Sequence, residues 1–315
     1  MTERALQSET ISPEFLGEFY RRRRSPWLTT TFKILREPFS AVAATTIIIF
    51  TICAVFAPVL APYSPTDQQA LEALQSPSWS HPLGTDQLGR DQLSRMMYGG
   101  RVSLGIGIGA VAFACLVGVT LGLIAGYVRG IVDDIIMRLM EMIIAFPGLI
   151  LALMLIALFE PSVKNLLFAI GIASVPGLAR LVRSQVLTVR ERDYVLAARS
   201  IGAPGTRILF RHIWPNCMAP VIVAATLSMG FAVLAEAGLS FLGVGVRPPT
   251  PTWGSMLQFS FGFISLAPYL SIVPGAAIFL AGAFVQHPWR RPARRLRPEP
   301  SRPLRIPLRR AANQP

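Results

Sequence analysis

Hydrophobic and polar positions along this chain fall into long blocks, without the two- or four-residue alternation of a half-buried element. Apolar runs occupy 39–62, 102–127, 140–159, 165–181, 218–246 and 266–285. Each is near the roughly 20 residues that an α-helix needs to cross the hydrocarbon core of a bilayer. A helix satisfies its own backbone donors and acceptors there, which an open sheet cannot do. The pattern predicts an all-α polytopic membrane protein with about six transmembrane helices. A cytoplasmic arm is expected over 1–38, a transmembrane domain over 39–285 and a basic cytoplasmic tail over 286–315. Pro58 and Pro62 suit a loosened end to the first span. The second span carries Gly118, Gly122 and Gly126 at four-residue spacing, which lets helix backbones approach closely in lipid.

Composition agrees. The 315 residues are 52% hydrophobic and only 15% charged, against about a quarter charged in soluble domains. The formal net charge is +13, but the basic residues do not alternate with aromatic ones as a nucleic-acid stacking platform would require. They collect in the N-terminal arm, the 129–138 link, the 183–216 segment and the tail, while the connections at 63–101, 160–164 and 247–265 are mixed or poor in Lys and Arg. The positive-inside rule then places both termini in the cytoplasm. The polar arm is too long for the charged head of a cleavable signal peptide. Cys53, Cys115 and Cys217 are scattered in or beside apolar runs and suggest neither a disulfide framework nor a metal site.

No catalytic constellation emerges. His81, His212 and His287 are far apart and lack partners at useful spacing. There is no Gly-x-x-x-x-Gly-Lys-Ser/Thr run, so the chain is expected to be no enzyme, to hold no cofactor or metal, and to hydrolyse no nucleotide itself.

The informative polar segment is 190–216. Tyr194 to Ile201 can form a short amphipathic helix, with Gly202 placed to end it and Pro204-Gly205 to turn the chain. Residues 206–213 can start a second helix, which Pro215 is expected to stop before the fifth span. A plain basic loop would fix topology equally well, but two apolar faces in so short a hairpin suggest docking to a soluble partner.

This segment resembles the permease subunits of ABC importers for dipeptides, oligopeptides and nickel. Their signature is Glu-Ala-Ala, three residues, Gly, nine residues, then Ile-x-Leu-Pro. Here Leu196-Ala197-Ala198, Gly202 and His212-Ile213-Trp214-Pro215 keep the spacing, with Leu196, His212 and Trp214 replacing the family's Glu, Ile and Leu. His81-Pro82-Leu83-Gly84-Thr85-Asp86, Ala145-Phe146-Pro147-Gly148, Ala235-Glu236-Ala237-Gly238-Leu239-Ser240 and Pro248-Pro249-Thr250-Pro251-Thr252-Trp253-Gly254 are also similar, so the likeness covers about 39–285. It implies import of peptides or a related small solute, powered by separate ATPase subunits. Tyr194, Ala197, Ala198, Gly202, Arg207, His212, Pro215 and Asn216 would form the ATPase-docking loop. The implied partners are a sister permease, two ATP-binding subunits and a periplasmic solute-binding protein. Glu236, an ionisable group near the outer end of a span, and Pro147 are candidates for the translocation path or outer gate. An ion-coupled secondary transporter or channel would instead want paired mid-membrane ionisable groups or inverted repeats, and neither is visible.

The end departs from the family, which normally closes Phe-Asn-Leu-Leu-Gly-Asp-Gly-Leu-Arg-Asp. Reading one base later across 283–298 permits a similar string. The hypothesis is a frameshift near residue 282, which would leave a disordered Arg-Pro tail; resequencing the end of the gene in related strains tests it.

Overall fold

In the computed structural model residues 38–286 are described; the expected arm up to residue 37 and the tail from residue 287 lie outside them. The described residues are helical, with no strand beyond one isolated bridge between Thr85 and Asp91. In chain order the helices are α1 (Pro38–Val55), α2 (Ala57–Leu60), α3 (Gln92–Val128), α4 (Ile131–Ile144), α5 (Gly148–Leu158), α6 (Val163–Arg190), α7 (Asp193–Ser200), α8 (Gly205–Ile208), α9 (Trp214–Phe241), α10 (Trp253–Phe261) and α11 (Tyr269–Gln286).

Among the described residues three helical segments are long and apolar enough to cross a membrane: Gln92–Val128, Val163–Arg190 and Gly205–Phe241. The pair α4 and α5 also qualifies, but only together, with an 88° bend between them. The two remaining apolar helices, α1 and α11, are shorter. The run expected over 140–159 is therefore not one straight helix. Pro147 sits at the elbow in extended geometry (φ −53°, ψ 130°), because proline cannot extend the preceding helix and steers the residue before it out of helical geometry. The second span begins ten residues before its apolar run, at Gln92. Asp91 caps that start, its Oδ2 accepting the Ser94 N–H at 2.8 Å, which satisfies one of the orphan donors of the first turn.

The glycine stripe of α3 faces α6. A Cβ on Gly122 would lie 2.5 Å from the Ala179 carbonyl oxygen and 2.7 Å from Val182 Cβ. Only hydrogen fits there, so backbone meets backbone and dispersion contacts replace the hydrophobic drive that is absent between helices in lipid. A second core joins Ala54, Leu104, Val233, Ala277 and Trp253, tying α1, α3, α9, α10 and α11 together.

Candidate functional site

The 190–216 segment is a hairpin standing on the ends of α6 and α9. In α7, Val195 and Ala198 point inward and pack with Val186, Val189, Ile208, Ile213 and Cys217. The helix ends as its glycine requires. Gly202 has φ +75°, its N–H donates to the Arg199 carbonyl at 3.0 Å, and the Ala203 N–H reaches the Ala198 carbonyl at 3.1 Å. This pair of bonds is the Schellman motif, and it satisfies carbonyls that the helix end would leave bare.

Pro215 does not stop the second helix. From Leu209 to Ile213 the chain makes a π-turn, with the Trp214 N–H donating to the Leu209 carbonyl. Gly205–Phe241 then runs through as one helix of 37 residues. The wider turn admits Pro215 near the start of α9, where its missing N–H costs little. Asn216 Nδ2 donates to the His212 carbonyl, one turn back, at 2.7 Å.

Polar bonds tie the hairpin to neighbouring helices. The Tyr127 hydroxyl, at the end of α3, donates to the Gly205 carbonyl at 3.0 Å, and Arg190 Nη1 donates to the Tyr127 carbonyl at 3.1 Å. A Cβ on Gly205 would sit 2.7 Å from that hydroxyl. On α6, Arg183 grips Asp133 of α4 with two bonds of 2.6 Å each. Two parallel bonds of this kind are the strong, geometrically specific form of an Arg–carboxylate pair.

The predicted docking residues divide by face. Tyr194, Ala197, Gly202, Arg207, Pro215 and Asn216 are exposed, His212 is half-buried, and Ala198 is buried in the hairpin's own core. Ile201 (85% exposed) and Phe210 (63%) are also bare. Tyr194, Ala197 and Ile201 share one stripe of α7 by helical spacing. Ile201 and Phe210 were legible from the sequence as the outward complement of Val195, Ala198 and Ile208. Tyr127 and Arg190 were not, because their bonds to the hairpin and to each other span 78 and 63 residues.

At the other end of the molecule His81 corrects the expectation that the histidines lack partners. Turns at Gly84 and Gly89 fold the chain back, so His81 Nδ1 meets Asp91 Oδ1 at 2.9 Å and Nε2 meets Glu72 Oε2 at 3.2 Å. Beside it Asp86 holds Arg90 at 2.7 Å and Arg95 at 3.4 Å. The loop is tied to α11, the Tyr269 hydroxyl donating to the Gln75 carbonyl at 2.8 Å. This lattice braces the loop against the start of α3. Glu236 is fully buried in α9, accepting from Ser240 Oγ at 2.7 Å, with Ser103 and Thr252 facing it. Pro147 is exposed at its elbow. The structure does not bring Pro147, Glu236 and the hairpin together.

Bundled apolar helices, a broken span and a braced polar hairpin define the class: a multi-pass membrane protein. Residues 118–291 match the family described as "Binding-protein-dependent transport system inner membrane component", and residues 25–77 match the "N-terminal TM domain of oligopeptide transport permease C". The chain is 43% identical over 256 residues to the dipeptide transport system permease protein DppC of Alkalihalophilus pseudofirmus, covering 81% of this chain and 84% of the relative. It is 44% identical over 240 residues to the di/tripeptide permease DppC of Pseudomonas aeruginosa (74% and 79% covered). It is 39% identical over 258 residues to the glutathione permease GsiD of Pectobacterium atrosepticum (82% and 86% covered). The chain belongs to the family of binding-protein-dependent transport system inner membrane components, and it is an ABC importer permease of the bacterial inner membrane.

Proposed function

We propose that this subunit carries peptides across the inner membrane as one half of a heterodimeric pore, and that hairpin 193–216 is the handle by which a partner ATPase drives it. One observation carries the reading. The hairpin leaves Tyr194, Ala197, Ile201 and Phe210 bare on the outside, while its inner side is fastened to α3 and packed on α6 and α9. A solvated loop that only fixed topology would need neither the bare apolar groups nor the fastening. ATP binding would draw the two ATPases together. The Tyr127–Gly205 bond would pass that displacement to α3, and Arg183–Asp133 would pass it from α6 to α4 and the elbow at Pro147. The ATPases bias the permease by binding its two states unequally. Pro147 at the elbow and Glu236 under the outer loop are the candidates for the gate on the path. A peptide cargo rests on the dipeptide, di/tripeptide and glutathione relatives, and a solute-binding protein would deliver it to the outer loops at 63–101 and 247–265.

A test uses the chain with its native cysteines replaced and one cysteine introduced at Ile201. In intact cells an impermeant maleimide should fail to label it. In inverted vesicles it should label, and added ATPase subunits should protect it. Labelling in intact cells would overturn the assignment. Uptake of labelled dipeptide into vesicles holding the complete importer tests the cargo.

A further inference from the structure

A groove of about 240 Å³ runs between α1 and α3, floored by α9 and α11. Phe50 and Val55 on one side, and Leu104 and Ile108 on the other, make it apolar, with Met229 beneath. Two of its lining residues are polar. The hydroxyl of Thr51 is already bonded to the Ile47 carbonyl in its own helix, at 2.8 Å. The other is Arg101, exposed, with no hydrogen bond or ion pair among the described residues. Gly105, one turn further along α3, has open space where a Cβ would stand, so the wall is hollowed there.

The depth of Arg101 in the bilayer follows from α3. No charge occurs between Val102 and Val128, and at about 1.5 Å per residue that stretch measures about 40 Å. A bilayer with its headgroup regions is about 40–45 Å thick. Arg101 and Arg129 therefore bracket the membrane near the two headgroup levels, and the groove descends from Arg101 into the hydrocarbon. The neighbouring side chains of α1, Ile48, Ile49 and Ile52, are exposed.

We propose that this groove is a binding site for one phospholipid, an acyl chain lying between α1 and α3 and the phosphate paired with Arg101. Charge complementarity and shape point the same way. A guanidinium at headgroup depth wants a bidentate anionic partner. An apolar cleft below it favours methylenes over water. A free phosphate would leave the cleft unfilled.

The complete importer, purified in mild detergent, is incubated with palmitoyl-oleoyl phosphatidylglycerol and weighed by native mass spectrometry. Wild type should retain one lipid adduct that Arg101→Gln and Gly105→Leu both lose, with Arg101→Lys intermediate. The leucine enters open space, so the Gly105→Leu complex should assemble; intact stoichiometry in the same spectra shows whether it does, and that variant decides the matter if Arg101→Gln fails to assemble. Equal lipid retention by wild type and Gly105→Leu overturns the proposal. So does efficient cross-linking to the sister permease from a thiol-attached photo-cross-linker on Ile108→Cys, which would mean that protein fills the groove. Lost transport with unchanged lipid retention would assign Arg101 to the solute path and overturn it as well.

Discussion

Gly202 offers a way to separate the shape of the hairpin from its contact with a partner. Its φ of +75° is unfavourable for any residue with a Cβ, at a cost of about 1–2 kcal/mol. Yet a Cβ built there meets no atom within 4 Å, so within this chain alanine bears the backbone penalty without a clash, and the Cβ of a larger residue starts from open space. Asparagine, which tolerates the left-handed region, bears less. If ATPase binding requires the ordered hairpin, Gly202→Ala should weaken it by about 5- to 30-fold, the equivalent of 1–2 kcal/mol. Gly202→Asn should fall between alanine and wild type. Gly202→Trp should lose far more if a partner's surface lies over this face, because the indole would then stand in the interface. The assay is a titration of the proposed ATPase partner against the assembled permease in nanodiscs. Tryptophan binding no worse than alanine would refute the claim that this face lies at the interface. Alanine matching wild type would refute the claim that the Schellman turn sets the docking geometry.

Three further outcomes are expected. Gly122→Leu drives a side chain into the Ala179 carbonyl and Val182; the clash is with backbone, so the loss should exceed the 1–3 kcal/mol of ordinary overpacking and show as failure to assemble in size-exclusion profiles. Arg183→Lys keeps the charge but not the fork. With Arg183 partly exposed the stability cost should be about 1 kcal/mol, and transport per ATP hydrolysed should fall more than ATPase activity; equal falls would argue against α4 lying on the transmission route. His81→Ala leaves Asp91 buried without its imidazole and Glu72 unanchored. Limited proteolysis should then cut within 63–91 while α3 stays protected, and unchanged cleavage would mean that Asp91 and the Tyr269 tie suffice.

The broad architecture was legible because its cause is local. Lipid demands runs of apolar residues in helices, so hydropathy alone announces the bundle and the rarity of charge announces the membrane. The end of α7 was legible for a similar reason, since Gly202 lies just beyond its last turn and few other residues adopt φ near +75°. What the tertiary structure decided were matters of distance. Pro215 looks like a stop until the π-turn before it makes room for the ring. His81 looks isolated until two glycine turns bring Glu72 and Asp91 to its two nitrogens. The four-residue glycine spacing forecast a close helix contact, but only the packing identifies α6 as the partner. Tyr127 and Gly205 carry no shared signal, because a single hydrogen bond across 78 residues leaves no periodicity in either segment. Sequence determines what each stretch can bury; which stretches meet depends on long-range packing, where individually weak contacts act together.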